Sequence, residues 1–307
     1  SVYLSELVRA HGWPVSLVSS AVTAFYLVNA LSSAHVGARI DRLGARPVFV
    51  FGAAALALGA AAIGQADAPW QAFAAFLLLG GGYACLSVTG LSAAIAPWFE
   101  RHQGRGVAIA LMGASMGAMA VVPVMVLAIR AFGFGTTMLG AGAVAGIVLI
   151  PLFWAALRYR RPAELGLDPD GAAAAARPAT PVWTRAAAVR TRALRTVAIG
   201  FALGLLVQVG FLTHHLSLAE PTLGRVGAGW LVSATGAAGL LGRTVLAYVA
   251  DKLSPRLWSC GIFAVQTVAL GAMALADGPA ALIASSLVYG FCLGQITTLS
   301  PIVVRRE

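Results

Sequence analysis

The sequence predicts an all-α integral membrane protein built from two similar helical bundles, and three observations carry that prediction. Of 307 residues, 59% are hydrophobic and 10% charged, with a mean hydropathy of +0.85. A soluble domain holds about 45–50% apolar residues, so a water-soluble globular fold is excluded. The apolar residues fall in runs of twenty or more, which suits helices crossing about 30 Å of hydrocarbon and not barrel strands of about ten alternating residues. Finally, a charged segment of the first half returns in weaker form in the second.

Taken in order, the runs place spans at 15–38, 47–66, 70–96, 105–129, 134–157, 195–214, 226–250, 257–276 and 279–304, nine in all. Each is near the twenty residues a spanning helix needs, since about 1.5 Å of rise per residue must cover the hydrocarbon. Short connections marked by Gly or Pro separate them: RLGAR, DAPW, RHQGRG and FGFG follow the first four. Residues 158–194 differ, being long and rich in Arg, Pro and Ala, and read as a linker. The expected organisation is therefore a bundle over 1–157, the linker over 158–194 and a second bundle over 195–307. The opening SVYLSELVRAHGW lacks the basic start and apolar core of a cleavable leader, and reads as the outer end of a preceding helix.

In a soluble protein a net charge of +10 would suggest nucleic acid. Here the basic residues sit in loops on alternate sides of the spans, so no nucleic-acid partner is expected. Arg39, Arg42, Arg46, Arg101, Arg105, the arginines from Arg158 to Arg195, Lys252, Arg256, Arg305 and Arg306 share one side. Only Arg9, Arg130 and Arg225 lie on the other. Cytoplasmic loops carry the basic excess, which puts the linker in the cytoplasm and the protein in the inner (plasma) membrane. Anionic lipid is the generic partner of such a linker, at about 1 kcal/mol per arginine near the surface. Cys85, Cys260 and Cys292 fall inside apolar runs with no paired spacing, so neither a disulfide nor a metal site is expected. No cofactor site is recognised.

GARIDRLGAR (37–46) reappears as AYVADKLSPR (247–256), about 210 residues later, each time at the cytoplasmic end of a span. Two similar halves joined by a cytoplasmic linker suit a parallel-repeat transporter. Gly37 is expected to permit close helix approach, and Gly44 a left-handed turn in a reversal of about six residues. Gly37, Asp41, Arg42, Gly44 and Arg46 match the G-x-x-x-D-R-x-G-x-R signature of the major facilitator superfamily (MFS), and Asp251, Lys252 and Arg256 keep part of it. Around them, GWPVSLVSSAVTAFYLVNAL (12–31), WFERHQGRGVAIALMGASMGA (98–118), RRPAELGLDPDG (160–171) and GRTVLAYVADK (242–252) resemble the monocarboxylate and oxalate/formate porter branch. The resemblance implies two pseudo-symmetric bundles, with these spans as helices two to ten of a twelve-helix fold truncated at both ends. It also implies a monomer, and a gating role for the signature residues; a solvated charged turn is the alternative.

Arg243 alone among the charged residues lies well inside a span, eight residues before Asp251 and thus about 12 Å deeper along the helix. Arginine at mid-bilayer costs about 2.5–3.5 kcal/mol on the insertion scale, so it should face a cavity or a partner. Its planar fork fits a carboxylate bidentately. In the resembled branch an arginine at this place binds the substrate carboxylate; Gly239 stands where some members have an aspartate. The alternative is a structural charge paired with helix carbonyls. Tyr26, Asn29, Tyr83, Gln208, Tyr289 and Gln295 are candidates to line a cavity, or else serve as interhelical hydrogen-bond glue. His214 and His215 carry either a proton-linked role or a headgroup-facing one, and His35 is read as structural.

Gly113, Ser115 and Gly117 spell a hydrolase-like G-x-S-x-G, but mid-helix, where small-residue packing explains it better than a nucleophile elbow. Gly80 to Gly82 with Gly90 form a second small-residue face. GLLGRT (239–244) lacks the lysine and glycine spacing of a phosphate loop. No enzyme is expected. No Asp or Glu falls within a span, which favours an anion over a cation. The expectation is a secondary transporter of small organic anions, mono- or dicarboxylates, working by alternating access with a coupling proton as a candidate co-substrate. The alternatives are a drug or sugar efflux transporter, or a non-transporting truncated product.

Overall fold

The computed structural model describes residues 7–8, 12–99, 102–169, 185–249 and 254–306. Among them it is all-helical: α1 Val15–Leu43, α2 Ala45–Gly64, α3 Pro69–Leu86, α4 Val88–Ile95, α5 Gln103–Phe132, α6 Phe134–Ala156, α7 Arg185–Arg190, α8 Arg192–Val249, α9 Pro255–Ala274 and α10 Pro279–Arg306. Eight candidate spans are long and apolar enough to cross a membrane, with α3 and α4 counted as one and α8 as two. The remaining expected span, 105–129, lies within α5, a continuous helix of 30 residues.

Local chemistry explains the boundaries. Gly44 is the whole reversal between α1 and α2: its φ of +86° is strained for a residue with a Cβ. The expected loop of about six residues is thus one residue, and Asp41 and Arg42 belong to the last turn of α1. Proline opens α3, α9 and α10, where its missing N–H would have no helical partner. At the start of α3 the Gln71 side-chain oxygen accepts from the Asp67 and Ala68 N–H groups at 2.8 and 3.0 Å. The break expected between 214 and 226 contracts to Gly224, φ 68°, inside α8.

The chain divides into two compact units, Ser1–Trp98 with Ala120–Pro169, and Phe99–Met119 with Asp170–Glu307. The boundary differs from that read in the sequence, because the first half of α5 packs with the second unit. There Arg105 lies over the Tyr248 ring at 5.9 Å. The linker also divides: 158–169 stays with the first unit and closes in a 3-10 turn, Pro162–Leu165.

The two units repeat one construction. α2 and α9 are each 20 residues long and begin at 45 and 255, an offset of 210; α3 and α10 begin at 69 and 279, the same offset. The close contacts repeat too. A Cβ on Gly80 would stand 2.6 Å from the Phe25 carbonyl oxygen, and one on Gly290 2.6 Å from that of Thr235. Positions 25 and 235 again differ by 210, so the same backbone-to-backbone crossing is built twice from glycine.

In the first unit the core joins Val18, Ala21, Ile63, Phe76 and Met138, with α2 and α6 meeting through Gly64, Gly135 and Gly142. The second unit's core runs from Phe201, Leu246 and Ile262 to Ile296 and Leu299. Outward faces are equally apolar, with Ile147 74% and Val268 71% exposed. Hydrocarbon is the solvent that accommodates such surfaces. Gly37 corrects the close-approach expectation: no described atom comes within 4 Å of a Cβ built there, and the same holds for Gly113 and Gly117. The Ser115 side chain lies outside the described residues.

Candidate functional site

Arg243 is half-buried on α8 beyond Gly224. Its position follows from a glycine crossing. Gly239 and Gly242 of α8 lie against α10, where a Cβ on Gly242 would meet the Phe291 carbonyl and one on Gly294 the Gly239 carbonyl. With the two backbones this close, the Arg243 stem runs over Gly294, whose added Cβ would stand 3.1 Å from Arg243 Cγ. The Gly294 carbonyl oxygen then accepts from Arg243 Nε at 2.7 Å. One turn on, Thr297 Oγ1 accepts from Nη2 at 3.2 Å. From the first half of α5 the Leu111 carbonyl oxygen accepts from Nη1 at 2.8 Å.

One edge of the fork, Nε with Nη2, is thereby held by α10 and the outer nitrogen Nη1 by α5. These three acceptors are neutral oxygens, two of them backbone carbonyls, and they direct the guanidinium plane. The pairing with helix carbonyls read as the alternative is present, and the same geometry presents a planar donor set suited to a carboxylate. Sequence reasoning missed Thr297, Gly294 and Leu111; only the spacing of Gly239, Gly242, Gly290 and Gly294 carried a signal for the crossing.

The other candidates separate by unit. In the first, Tyr26 and Tyr83 line one cavity of about 420 Å³ with Val22, Phe25, Phe76 and Met138. Phe25 holds both rings, at centroid distances of 5.0 Å to Tyr26 and 5.5 Å to Tyr83. Asn29, one turn beyond Tyr26, accepts from Ser33 Oγ at its carbonyl, 2.7 Å, and at Oδ1, 3.5 Å. In the second unit Gln295 is fully buried and its Oε1 accepts from Trp258 Nε1 at 2.8 Å. Tyr289 is buried with its ring 4.1 Å from Phe211, and Gln208 is buried on the same face of α8 as Phe211 and His215. Neither the Gln208 Oε1 nor the Tyr289 hydroxyl has a hydrogen-bond partner among the described residues.

His214 and His215 do not form a pair. Successive helical residues point about 100° apart, and His214 is exposed while His215 is 2% exposed. The His215 ring stacks on Phe211 at 4.3 Å, with Nε2 3.2 Å from Ser286 Oγ. The surface reading therefore fits His214 alone. His35 binds the Leu31 carbonyl through Nδ1 at 3.0 Å.

At the repeated charged turn, Arg46 lies over the Trp154 ring at 5.1 Å. The Arg160 side chain covers Gly44: a Cβ there would be 2.8 Å from Arg160 Nε. Asp251 and Lys252 lie outside the described residues, and Arg256 is exposed in the first turn of α9. No cluster of three or more His, Cys, Asp or Glu side chains suited to a metal occurs among the described residues.

A sequence model of the Major Facilitator Superfamily matches residues 1–306. An uncharacterized MFS-type transporter of Bacillus subtilis (strain 168), YcxA, is 28% identical over 138 residues, which are 45% of this chain and 34% of that protein. The match spans about a third of that relative's length. The crystal structure of the E. coli Fucose:proton symporter FucP is similar with a TM-score of 0.70, covering 98% of this chain and 82% of that one at 14% identity. That likeness is one of fold.

Proposed function

The chain belongs to the major facilitator superfamily, and from that premise we propose that it is a secondary transporter moving small organic anions, mono- or dicarboxylates, by alternating access. The observation that carries the reading is Arg243. It is the one charge well inside an expected span, and its guanidinium is held in a fixed plane by three neutral acceptors. A substrate carboxylate is a charged acceptor for the guanidinium, and such charge-assisted bonds are roughly twice as strong as bonds between neutral groups. No Asp or Glu lies in the expected spans to compete for the arginine or to attract a cation.

Tyr26, Asn29 and Tyr83 are the first unit's proposed contribution to the pathway. Gln208, Tyr289 and Gln295 are the second unit's proposed lining residues, and His215 is the proposed site for a coupling proton. The Asp41–Arg46 turn and its repeat are the proposed conformational gate on the cytoplasmic side of the inner membrane.

The test is uptake into proteoliposomes of radiolabelled mono- and dicarboxylates of one to six carbons, with uncharged sugars as competitors. The reading expects saturable carboxylate uptake that Arg243→Gln abolishes. Uptake that uncharged sugars block and carboxylates do not, or that survives Arg243→Gln, overturns it.

A further inference from the structure

Arg243 does not wait for an anion with its fork open. Its Nε and Nη2 are bound to Gly294 and Thr297, one turn apart on α10, and its Nη1 is bound to a carbonyl of α5. These contacts differ in kind. The Gly294 contact is enforced by a backbone crossing that admits no Cβ on either side. Thr297 supplies a side-chain acceptor at Nη2, which together with the Gly294 carbonyl at Nε holds that edge of the guanidinium on α10. The Leu111 contact is the longest-range of the three, joining residues 132 apart in sequence, and comes from a segment that is the second unit's sole contribution from the first half of the chain.

Resting on the proposed carboxylate site, we propose that Thr297 is a positioning residue for the Arg243 guanidinium, and that the Leu111 carbonyl is a stand-in acceptor which an entering carboxylate displaces. With the Nε and Nη2 edge retained by α10, a carboxylate reaches the fork at Nη1, in place of the Leu111 carbonyl. A carboxylate oxygen is the stronger acceptor for a guanidinium N–H, so the neutral carbonyl yields. Anion capture thereby releases the Leu111 tether between the 103–119 segment and α8. Binding and a helix movement become one event, and a ligand shifts an equilibrium only by such a differential contact. An uncharged isostere, an amide in place of the carboxylate, offers Nη1 nothing better than the carbonyl already there.

The experiment is hydrogen exchange over peptides spanning 103–119 in the full chain, reconstituted in nanodiscs, with lactate and oxalate against lactamide and oxamide. Dissociation constants are measured in parallel for the parent, Thr297→Val and Thr297→Ser. A carboxylate that binds is expected to speed exchange over 103–119 several-fold, while the amides leave it unchanged. Thr297→Val is expected to weaken carboxylate binding about tenfold, and Thr297→Ser to restore it to within about twofold, as loss and return of one hydrogen bond to a charged group imply. A binding carboxylate that leaves the exchange unchanged, or Thr297→Val binding as tightly as the parent, overturns the proposal. A ligand-free arm separates its failure from that of carboxylate transport. Arg243→Lys, whose single ammonium cannot span both helices, should by itself speed exchange over 103–119. If neither carboxylate binds and Arg243→Lys speeds exchange, the substrate class is wrong and the Arg243–Leu111 tether stands; unchanged exchange in Arg243→Lys removes the tether whatever the substrate.

Discussion

One methyl group at Gly294 is expected to disrupt the crossing on which Arg243 depends. The new Cβ would run into the Gly239 carbonyl of α8 and stand 3.1 Å from Arg243 Cγ. The first obstacle is backbone, so α8 and α10 must separate. Overpacking of this kind costs about 1–3 kcal/mol. The control is Gly271→Ala on α9, where a Cβ meets no described atom within 4 Å; alanine there gains about 0.5–1 kcal/mol of helix propensity. The two substitutions are chemically identical and should act in opposite directions, separated by about 1.5–4 kcal/mol. At about 2–4 °C per kcal/mol for a chain of 150–250 residues, the thermal midpoints should differ by at least roughly 3 °C. The assay is thermal unfolding of both variants in the same detergent, followed by intrinsic tryptophan fluorescence. Gly294→Ala melting at or above Gly271→Ala would refute the close crossing, and with it the stated origin of the 2.7 Å bond from Arg243 to the Gly294 carbonyl.

Three further outcomes are expected. Gly44→Ala places a Cβ at φ +86° and into the Arg160 side chain, which should cost about 1–3 kcal/mol; an unchanged midpoint contradicts the one-residue reversal. Trp258→Phe removes the 2.8 Å donor to the buried Gln295 Oε1, leaving an acceptor whose desolvation costs about 1–3 kcal/mol. The double variant with Gln295→Leu should recover most of that loss, and strict additivity in the cycle would argue against the bond. Ser286→Ala strips the Nε2 partner from the buried His215, with an expected loss of about 1–3 kcal/mol. The matching change at exposed His214, His214→Ala, should stay within about 0.5 kcal/mol.

Much of the fold was legible because a bilayer constrains it so tightly. Length and hydropathy located the spans, since each must cover the same thickness and satisfy its own backbone. Hydropathy could not find the ends, as shown by α1 running on through the charged residues to Leu43 and α8 continuing past Pro221 to the Gly224 kink. Hydrogen bonding along the helix continues wherever no residue stops it, whatever the polarity.

The site divides along similar lines. Arg243 stood out because a charge at that depth is costly. Its partners were hidden because two of them are backbone carbonyls, which every residue possesses and only a tertiary crossing presents. Thr297 was hidden because a threonine on an apolar helix usually bonds its own preceding turn, as Thr235 and Thr244 do here. Gly113 and Gly117 promised packing that the described residues do not show, whereas Gly80 and Gly290 deliver it. Glycine spacing marks where helices can approach, and only the partner's position decides whether they do.

The most direct test of Arg243 as the anion-binding group is calorimetric titration of the purified protein with carboxylates and their matched amides, in the parent and in Arg243→Gln. The prediction is carboxylate binding that the amides do not match and that weakens by about 10- to 150-fold in Arg243→Gln, equivalent to about 1.5–3 kcal/mol for hydrogen bonds to a charged group. Equal binding of a carboxylate and its amide, or affinity unchanged in Arg243→Gln, would contradict it.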